Sequence, residues 1–254
     1  IFSPEIAYLT SSQELHSPWL KGYRVLDNLT FDRKKLKAYL REIAASAIRG
    51  TAGYLFTMAN GLMVPRRLSV SQGSEARLDF EAIGYNSTGT IPFTLASTTD
   101  ALLSPTQNVA YTLGPVVLNG ATTLSLVQGW DLDFGIGESV SMGDGALYPK
   151  HAGIISRLPS VTIRTLDASL GSTILAGGYA LSQIDLYLRR LTVGGGGTEA
   201  IGSSVHIKVG LNVGMMSSLR YGGRRVELGA RVIPYKSGGT EQIVITPDTA
   251  ITLP

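Results

Sequence analysis

The sequence predicts a mainly β protein, a β-sandwich or half-barrel with one flanking α-helix and an extended N-terminal arm. Apolar and more polar residues alternate with a period of two in six separate stretches, as in strands with two unlike faces. Turns rich in glycine and proline separate these stretches. The 30 glycines among 254 residues are typical of a turn-dense all-β chain. This length fits one all-β domain, so a single core is expected.

The arm and the helix are predicted at the start of the chain. Residues 1–31 have no regular period and carry prolines and scattered aromatic residues, which favours an extended arm. Residues 32–49 have the strongest helix pattern, because apolar residues recur at spacings of three and four. These are Leu36, Tyr39, Leu40, Ile43, Ala44, Ala47 and Ile48. With Asp32 as a cap and Gly50 as a stop, we expect an amphipathic helix that covers a sheet, at the start of a single domain over 32–254.

The strand pattern follows residue 50. Alternating stretches occur at 54–59, 76–82, 130–137, 161–165, 184–189, 205–209 and 226–232. Except for the first, each has one apolar and one more polar face, as expected of half-buried strands. A weaker pattern near 168–176 indicates a second, short helix.

The charge content favours a protein that associates with itself. Charged residues are only 16 % of the chain, against about a quarter in typical domains. Soluble monomers keep charge on their surface, so a surface hidden against other copies is favoured over a sheltered or secreted monomer. The net charge is only +3. The basic cluster at 33–41 lies on the predicted helix and is interrupted by apolar residues, which indicates a solvated or partner-facing surface rather than a DNA-binding one.

The sequence shows no arrangement of residues that predicts catalysis or a cofactor. The chain has no cysteine, which excludes disulfides and thiolate metal sites. Its histidines, His16, His151 and His206, have no metal-ligand spacing. Asp131 and Asp133 are the best carboxylate pair, but no partner is marked across a cleft, as glycosidase chemistry needs. No stretch reaches the roughly 20 apolar residues of a membrane span. We therefore expect no enzyme activity, no cofactor, no metal and no membrane partner.

Several short motifs follow one another in a characteristic order. They are Pro65–Gly73 with Ala76–Ile83, Gly129–Gly135, Gly143-Asp144-Gly145, Tyr148-Pro149, Pro159, and Ile163–Asp167. In this order the chain resembles the tail tube proteins of long-tailed bacteriophages, over roughly residues 50–190.

The resemblance implies a structural role. Such proteins form a β-sandwich or half-barrel with a flanking helix and assemble as hexameric rings, whose inner strands join into one barrel. Stacked rings form the channel through which the genome leaves. The partners implied are other copies of the chain, other tail proteins, and genomic DNA that passes without specific binding. The implied location is the virion tail, assembled in the host cytoplasm. The family has no catalytic residues.

The candidate channel-lining residues lie on the polar faces of alternating strands, since the apolar faces are needed for the core. They are Asp131, Asp133, Asp79 and Glu81. Carboxylates there would not retain DNA phosphates. The alternative is that the same faces point outward, to solvent or to a neighbouring subunit.

Other functions stay open at this point. A tail terminator, a connector or a distal tail protein could share the fold, and filament formation by the pure protein would favour a tube. A jelly-roll capsid protein would form shells and have no helix before its sheet. A β-sandwich hydrolase or sugar-binding module would be monomeric, with an acid pair across a cleft or an exposed aromatic platform.

Overall fold

A computed structural model describes most of the chain. The described residues are 2–7, 36–44, 47–48, 53–58, 61–98, 110–167, 170–172, 180–192, 196–222, 227–234 and 242–254. They form seventeen strands, and residues 170–172 are helical. The strands are β1 Phe2–Ala7, β2 Leu36–Ala44, β3 Ala47–Ile48, β4 Gly53–Met58, β5 Gly61–Ser71, β6 Arg77–Gly84, β7 Phe93–Thr98, β8 Tyr111–Leu118, β9 Thr122–Leu124, β10 Val127–Asp133, β11 Ile136–Met142, β12 Pro149–Arg157, β13 Ser160–Thr165, β14 Ala180–Arg190, β15 His206–Gly222, β16 Glu227–Pro234 and β17 Ile243–Thr249. The predicted mainly β, sandwich-like class is confirmed.

Contacts divide the chain into two compact units. Unit 1 comprises Ile1–Val64, Phe80–Thr106 and Gly137–Ser156, and unit 2 comprises Pro65–Asp79, Gln107–Ile136 and Arg157–Pro254. The division into an arm over 1–31 and a single domain over 32–254 stays a prediction.

Unit 1 contains a five-stranded sheet and a ribbon. The sheet has the order β1-β2-β4-β7, and β3 also pairs with β2. Its strand pairs are antiparallel. The ribbon consists of β11 and β12, joined by the predicted turn at Gly143-Asp144-Gly145, where the Ala146 N–H donates to the Gly143 carbonyl at 3.0 Å.

The predicted helix over 32–49 is wrong. Leu36–Ala44 is the strand β2, paired on one side with β1 and on the other with β4. The apolar spacing of three and four led to the wrong prediction because apolar residues stand at both odd and even positions of this segment. That pattern also suits a strand with neighbours on both sides. Such pairing outweighs local helix propensity. Residues 32–35, 45–46, 49–50 and 8–31 of the predicted arm lie outside the described residues.

The described core of unit 1 centres on Met58. This side chain is fully buried and packs against Phe56, Phe80, Ala82 and Phe93. The rings of Phe56 and Phe93 stack with centroids 5.3 Å apart. The apolar face of the sheet is therefore covered at the end where β4 finishes and β7 begins.

Unit 2 holds most of a ten-stranded sheet of order β6-β5-β10-β13-β16-β15-β14-β8-β9, with β17 also paired to β15. The segment just before β6 meets β8, the strand next to the other end of this order: Glu75 bridges to Thr112, and the Ala76 N–H donates to the Tyr111 carbonyl at 2.7 Å. The sheet thus curves back on itself.

The core of unit 2 comes from alternate residues of these strands. The fully or almost fully buried apolar side chains include Val116, Leu118, Trp130, Leu132, Val161, Ile163, Ile184, Leu186, Val209, Leu211 and Val232. Burial of each such side chain contributes on the order of 1.5–3 kcal/mol. The predicted apolar faces at 130–134, 161–165 and 184–188 are confirmed, but the more polar face of 184–188 is buried as well, at Asp185 and Tyr187.

Two predicted segments differ in length. The stretch predicted at 130–137 divides at Gly135, whose φ of 56° separates β10 from β11. The stretch predicted at 205–209 is part of the 17-residue β15, whose first half pairs with β17 and whose second half pairs with β16. The segment predicted as helical near 168–176 is helical at 170–172, and its other residues lie outside the described residues.

Candidate functional site

The candidate site is the polar face of β5, β10 and β13. β10 lies between the other two strands, antiparallel to both. Asp131 is directly opposite Ser69 on β5 and Thr162 on β13, and residues paired in this way share a face of the sheet. The other face of β10 carries Trp130 and Leu132, which are fully buried. The expected division of this strand into a core face and a polar face is confirmed.

Asp131 lies between two arginines, and we call Arg67, Asp131 and Arg164 the charge ladder. Arg67 Nη2 donates to Asp131 Oδ1 at 2.7 Å, and Arg164 Nη2 lies 3.6 Å from Oδ2. The Asp131 side chain keeps 21 % of its exposure. Partly solvated pairs of this kind contribute at most about 1 kcal/mol each. The ladder therefore matters more for the charge of this face than for stability.

Gly129 leaves space on the polar face of the sheet for the guanidinium group of Arg164. The two residues are paired between β10 and β13. A Cβ atom on Gly129 would lie 2.9 Å from Arg164 Nη2 and 2.6 Å from the Val70 carbonyl oxygen. The same guanidinium donates to Ser71 Oγ at 3.2 Å. A side chain at position 129 would consequently displace Arg164 from both Asp131 and Ser71.

Asp133 has a different role from Asp131. Its Oδ1 accepts a hydrogen bond from the Gly135 N–H at 2.8 Å, which holds the turn that ends β10. A side chain at Gly135 would collide with the Leu158 carbonyl, so only glycine fits there. Asp133 is exposed, and it places a second carboxylate on the face of the charge ladder.

Asp79 and Glu81 lie on β6, a different strand from that of Asp131 and Asp133. In the sheet, β5 separates β6 from β10. Asp79 accepts from Arg77 Nε at 2.7 Å, an exposed pair within one strand, and Glu81 is exposed. The structure thus brings Asp131 and Asp133 together on one strand and leaves the other two candidates on another. Whether any of the four lines a channel stays a prediction.

The Ile163–Asp167 motif fastens the end of β13. Thr165 is fully buried, its hydroxyl donates to the Ser125 carbonyl at 2.9 Å, and it accepts from the Asp167 N–H at 3.0 Å. Asp167 Oδ2 in turn accepts from the Ser125 N–H at 2.7 Å and from its hydroxyl at 2.8 Å. The motif therefore ties β13 to the turn that precedes β10, which fixes the strand pair that carries the charge ladder.

A second polar cluster lies on β14 and β15 and was not predicted. The side chain of Asp185, only 8 % exposed, pairs with Lys208 Nζ at 2.8 Å and accepts from Gln183 Nε2 at 3.0 Å on both oxygens. Lys208 Nζ also lies 5.9 Å from the centre of the Tyr187 ring. Asp185, Tyr187 and Lys208 line a cleft of about 270 Å³ together with Leu253 and Pro254 of the C-terminal segment. The ion pair joins two neighbouring strands of the ten-stranded sheet.

His206 is a buried structural residue. Its Nδ1 accepts from the Arg190 N–H at 3.1 Å, so Nε2 carries the proton and donates to the Ala200 carbonyl at 2.8 Å. Both ring nitrogens are thereby engaged with the backbone. Among the described residues, no group of three acidic or histidine side chains could hold a metal ion.

No protein-family model matches the chain, and no curated protein matches it. No helix in the described part of the chain is long and apolar enough to cross a membrane.

The chemistry of the ladder face is that of a charge-balanced surface. Two guanidinium groups stand beside two carboxylates, with the hydroxyls of Ser69, Ser71 and Thr162 nearby. The sequence alone identified the carboxylates and the alternating stretch 161–165 that contains Arg164, but not the pairing, because pairing depends on the strand order. Arg67 could have been noticed from its place in Pro65–Gly73, one of the stretches that carry the family resemblance.

Proposed function

We propose that the chain is a structural, non-enzymatic subunit of a phage tail tube. Copies assemble into hexameric rings, and stacked rings form the channel for genomic DNA. The proposal is supported by the order of the sequence motifs together with the mainly β, strongly curved sheet. Its partners are other copies of the chain, other tail proteins and the passing DNA, and its location is the virion tail after assembly in the host cytoplasm.

The observation that carries the proposal furthest is the balanced charge of the ladder face. DNA has one negative charge per about 1.7 Å of its axis. A channel wall with unpaired arginines would bind that charge and slow the passage of the genome. Arg67 and Arg164 are instead matched by Asp131, with Asp133 beside them. Such a wall neither retains nor strongly repels phosphates, as a conduit requires.

Electron microscopy of the purified protein tests the assembly. We expect hollow tubes or sixfold rings at high protein concentration. Closed shells would favour a capsid protein. A protein that stays monomeric at high concentration, and shows no rings in intact particles, would contradict the tube.

The lumen assignment has its own test in the double variant Asp131→Asn/Asp133→Asn. Asparagine keeps the shape of both side chains and the acceptor for the Gly135 N–H, but leaves Arg67 and Arg164 without a carboxylate partner. Tubes of this variant, assembled with double-stranded DNA, should retain it several-fold more tightly than wild-type tubes. The affinity should also fall more steeply with salt, by about 0.9 in the log–log slope for each added phosphate contact.

The matched control is Asp144→Asn, in the exposed turn between β11 and β12. It removes one carboxylate outside the ladder face and should leave DNA retention unchanged. If the double variant forms tubes that retain DNA no better than this control, the ladder face does not line the lumen, although the tube itself survives.

A further inference from the structure

β7 is an open edge. Its residues Phe93–Thr98 pair with β4 and with no other strand among the described residues. Four consecutive side chains, from Thr94 to Ser97, are exposed. Its free backbone groups are a template for another strand.

The β7 edge lacks the features that prevent an edge strand from pairing with a strand of another molecule. Proteins protect edge strands with charged residues, proline, bulges or very short length. The strand at one end of the ten-stranded sheet, β6, carries Arg77, Asp79 and Glu81, and β9 at the other end has only three residues. β7, with the sequence FTLAST, has six residues and neither charge nor proline. The contrast within one chain indicates that β7 is left open for a partner.

An apolar surface adjoins this edge. Leu95 is 61 % exposed and Tyr54 is 51 % exposed. Leu95 is paired with Phe56, and Tyr54 lies two residues from Phe56 on β4, so all three share one face. That face is covered near Met58 and uncovered near Tyr54 and Leu95.

The chain itself carries a surface that fits this edge, on the β11–β12 ribbon. The ribbon pairs with no other described strand, and a two-stranded ribbon is marginally stable alone. A side chain at Gly137 would meet the Ser156 hydroxyl, so these two positions share one face and Ile155 belongs to the other. By alternation, Val140 and Met142 are on the face of Ile155. All three are exposed, Met142 by 63 % and Ile155 by 72 %.

We infer that the ribbon of one copy adds to the β7 edge of a second copy, so that its apolar face continues the apolar face that carries Tyr54 and Leu95. The inference rests on the proposed function and names the contact that builds the assembly. The two surfaces differ from each other, so the contact is head-to-tail, and such contacts close into rings or continue as filaments. A second copy is the occupant because the chain supplies both halves, and both are exposed and unpaired with other strands in the part of the chain that the structure describes.

The test uses one charged variant in each half. Leu95→Lys blocks the edge, and Met142→Lys blocks the ribbon; both positions are exposed, so both proteins should keep the wild-type circular dichroism spectrum. Each alone should sediment at the 27.0 kDa monomer mass under conditions in which the wild type assembles. Mixed in equal amounts, they should form dimers at twice that mass and nothing larger, because each pair retains one intact ribbon and one intact edge. If Leu95→Lys fails to fold, Ala96→Lys places the same charge on the same edge.

Matched controls carry a lysine at other exposed strand positions. Thr123→Lys is on the edge strand β9, and Ser139→Lys is on the opposite face of the ribbon. Both should assemble like the wild type. If the wild type forms tubes and so do Leu95→Lys and Met142→Lys, the contact is wrong while the tube remains. If both are monomeric and their mixture is too, the head-to-tail arrangement is wrong. If the wild type itself is monomeric, the proposed function fails together with this contact.

Discussion

β10 and β7 are strands of similar length in antiparallel sheets, but among the described residues only β10 is paired along both of its edges. β10 has a neighbour on each side, a fully buried apolar face and a polar face with paired charges. β7 has one neighbour in the described chain and exposed side chains along most of its length. The difference indicates a division of labour: strands such as β10 hold the subunit together, and β7 is available for contact between subunits.

The largest expected effect contrasts truncations in the two strands. Trp130→Ala removes a fully buried indole from β10 and should lower the free energy of unfolding by about 3–5 kcal/mol. Leu95→Ala removes an exposed side chain from β7 and should change it by no more than about 0.5 kcal/mol. Urea denaturation at a concentration at which the protein is monomeric measures both. Equal losses of unfolding free energy would show that the side chains of β7 are packed as tightly as those of β10.

An intermediate effect is expected for two ion pairs, one buried between inner strands and one exposed on an edge strand. Lys208→Met leaves the carboxylate of Asp185 buried with only Gln183 as its partner, and should cost about 2–3 kcal/mol of unfolding free energy. Arg77→Met breaks the exposed pair with Asp79 on the edge strand β6, and should cost less than about 1 kcal/mol. The same denaturation experiment compares them. A larger loss of unfolding free energy for Arg77→Met would mean that burial does not decide how much an ion pair stabilises this protein.

The smallest effect concerns Tyr111, at the start of β8. Burial raises the pKa of Tyr111 and the negative charge of Asp248 adds to this, while Arg190 lowers it in part. Because this pKa is higher in the folded than in the unfolded chain, the neutral phenol stabilises the fold fully below the unfolded value of about 10. The contribution is lost as pH rises from there through the folded pKa.

Tyr111→Phe should therefore lose less stability than the wild type as the pH rises above the unfolded value of about 10. Urea denaturation across this range measures the effect, and the difference at pH 7 serves as the control for the missing hydroxyl. A parallel loss in both proteins would show that Tyr111 does not titrate differently on folding.

The strands with alternating faces could be predicted from the sequence because their period is local. The β10 alternation of Trp130 and Leu132 with Asp131 and Asp133 identified both the core face and the polar face. β2 could not be predicted in this way, since its apolar spacing fits a helix as well and its neighbours β1 and β4 decide the outcome. The partners of Asp131 depend on strand order, and the Asp185–Lys208 pair depends on a register between strands about 20 residues apart in sequence. Neither is encoded in any single stretch.

Hydrogen exchange of the backbone amides in β7 and β10 tests the contact between copies most directly. In the dilute monomer, β10 amides should be protected, and β7 amides facing away from β4 should exchange rapidly. On assembly, the β7 amides should gain protection together with those at the edge of the β11–β12 ribbon, while β10 stays as it was. Assembly without any gain of protection in β7 would contradict the role assigned to this strand.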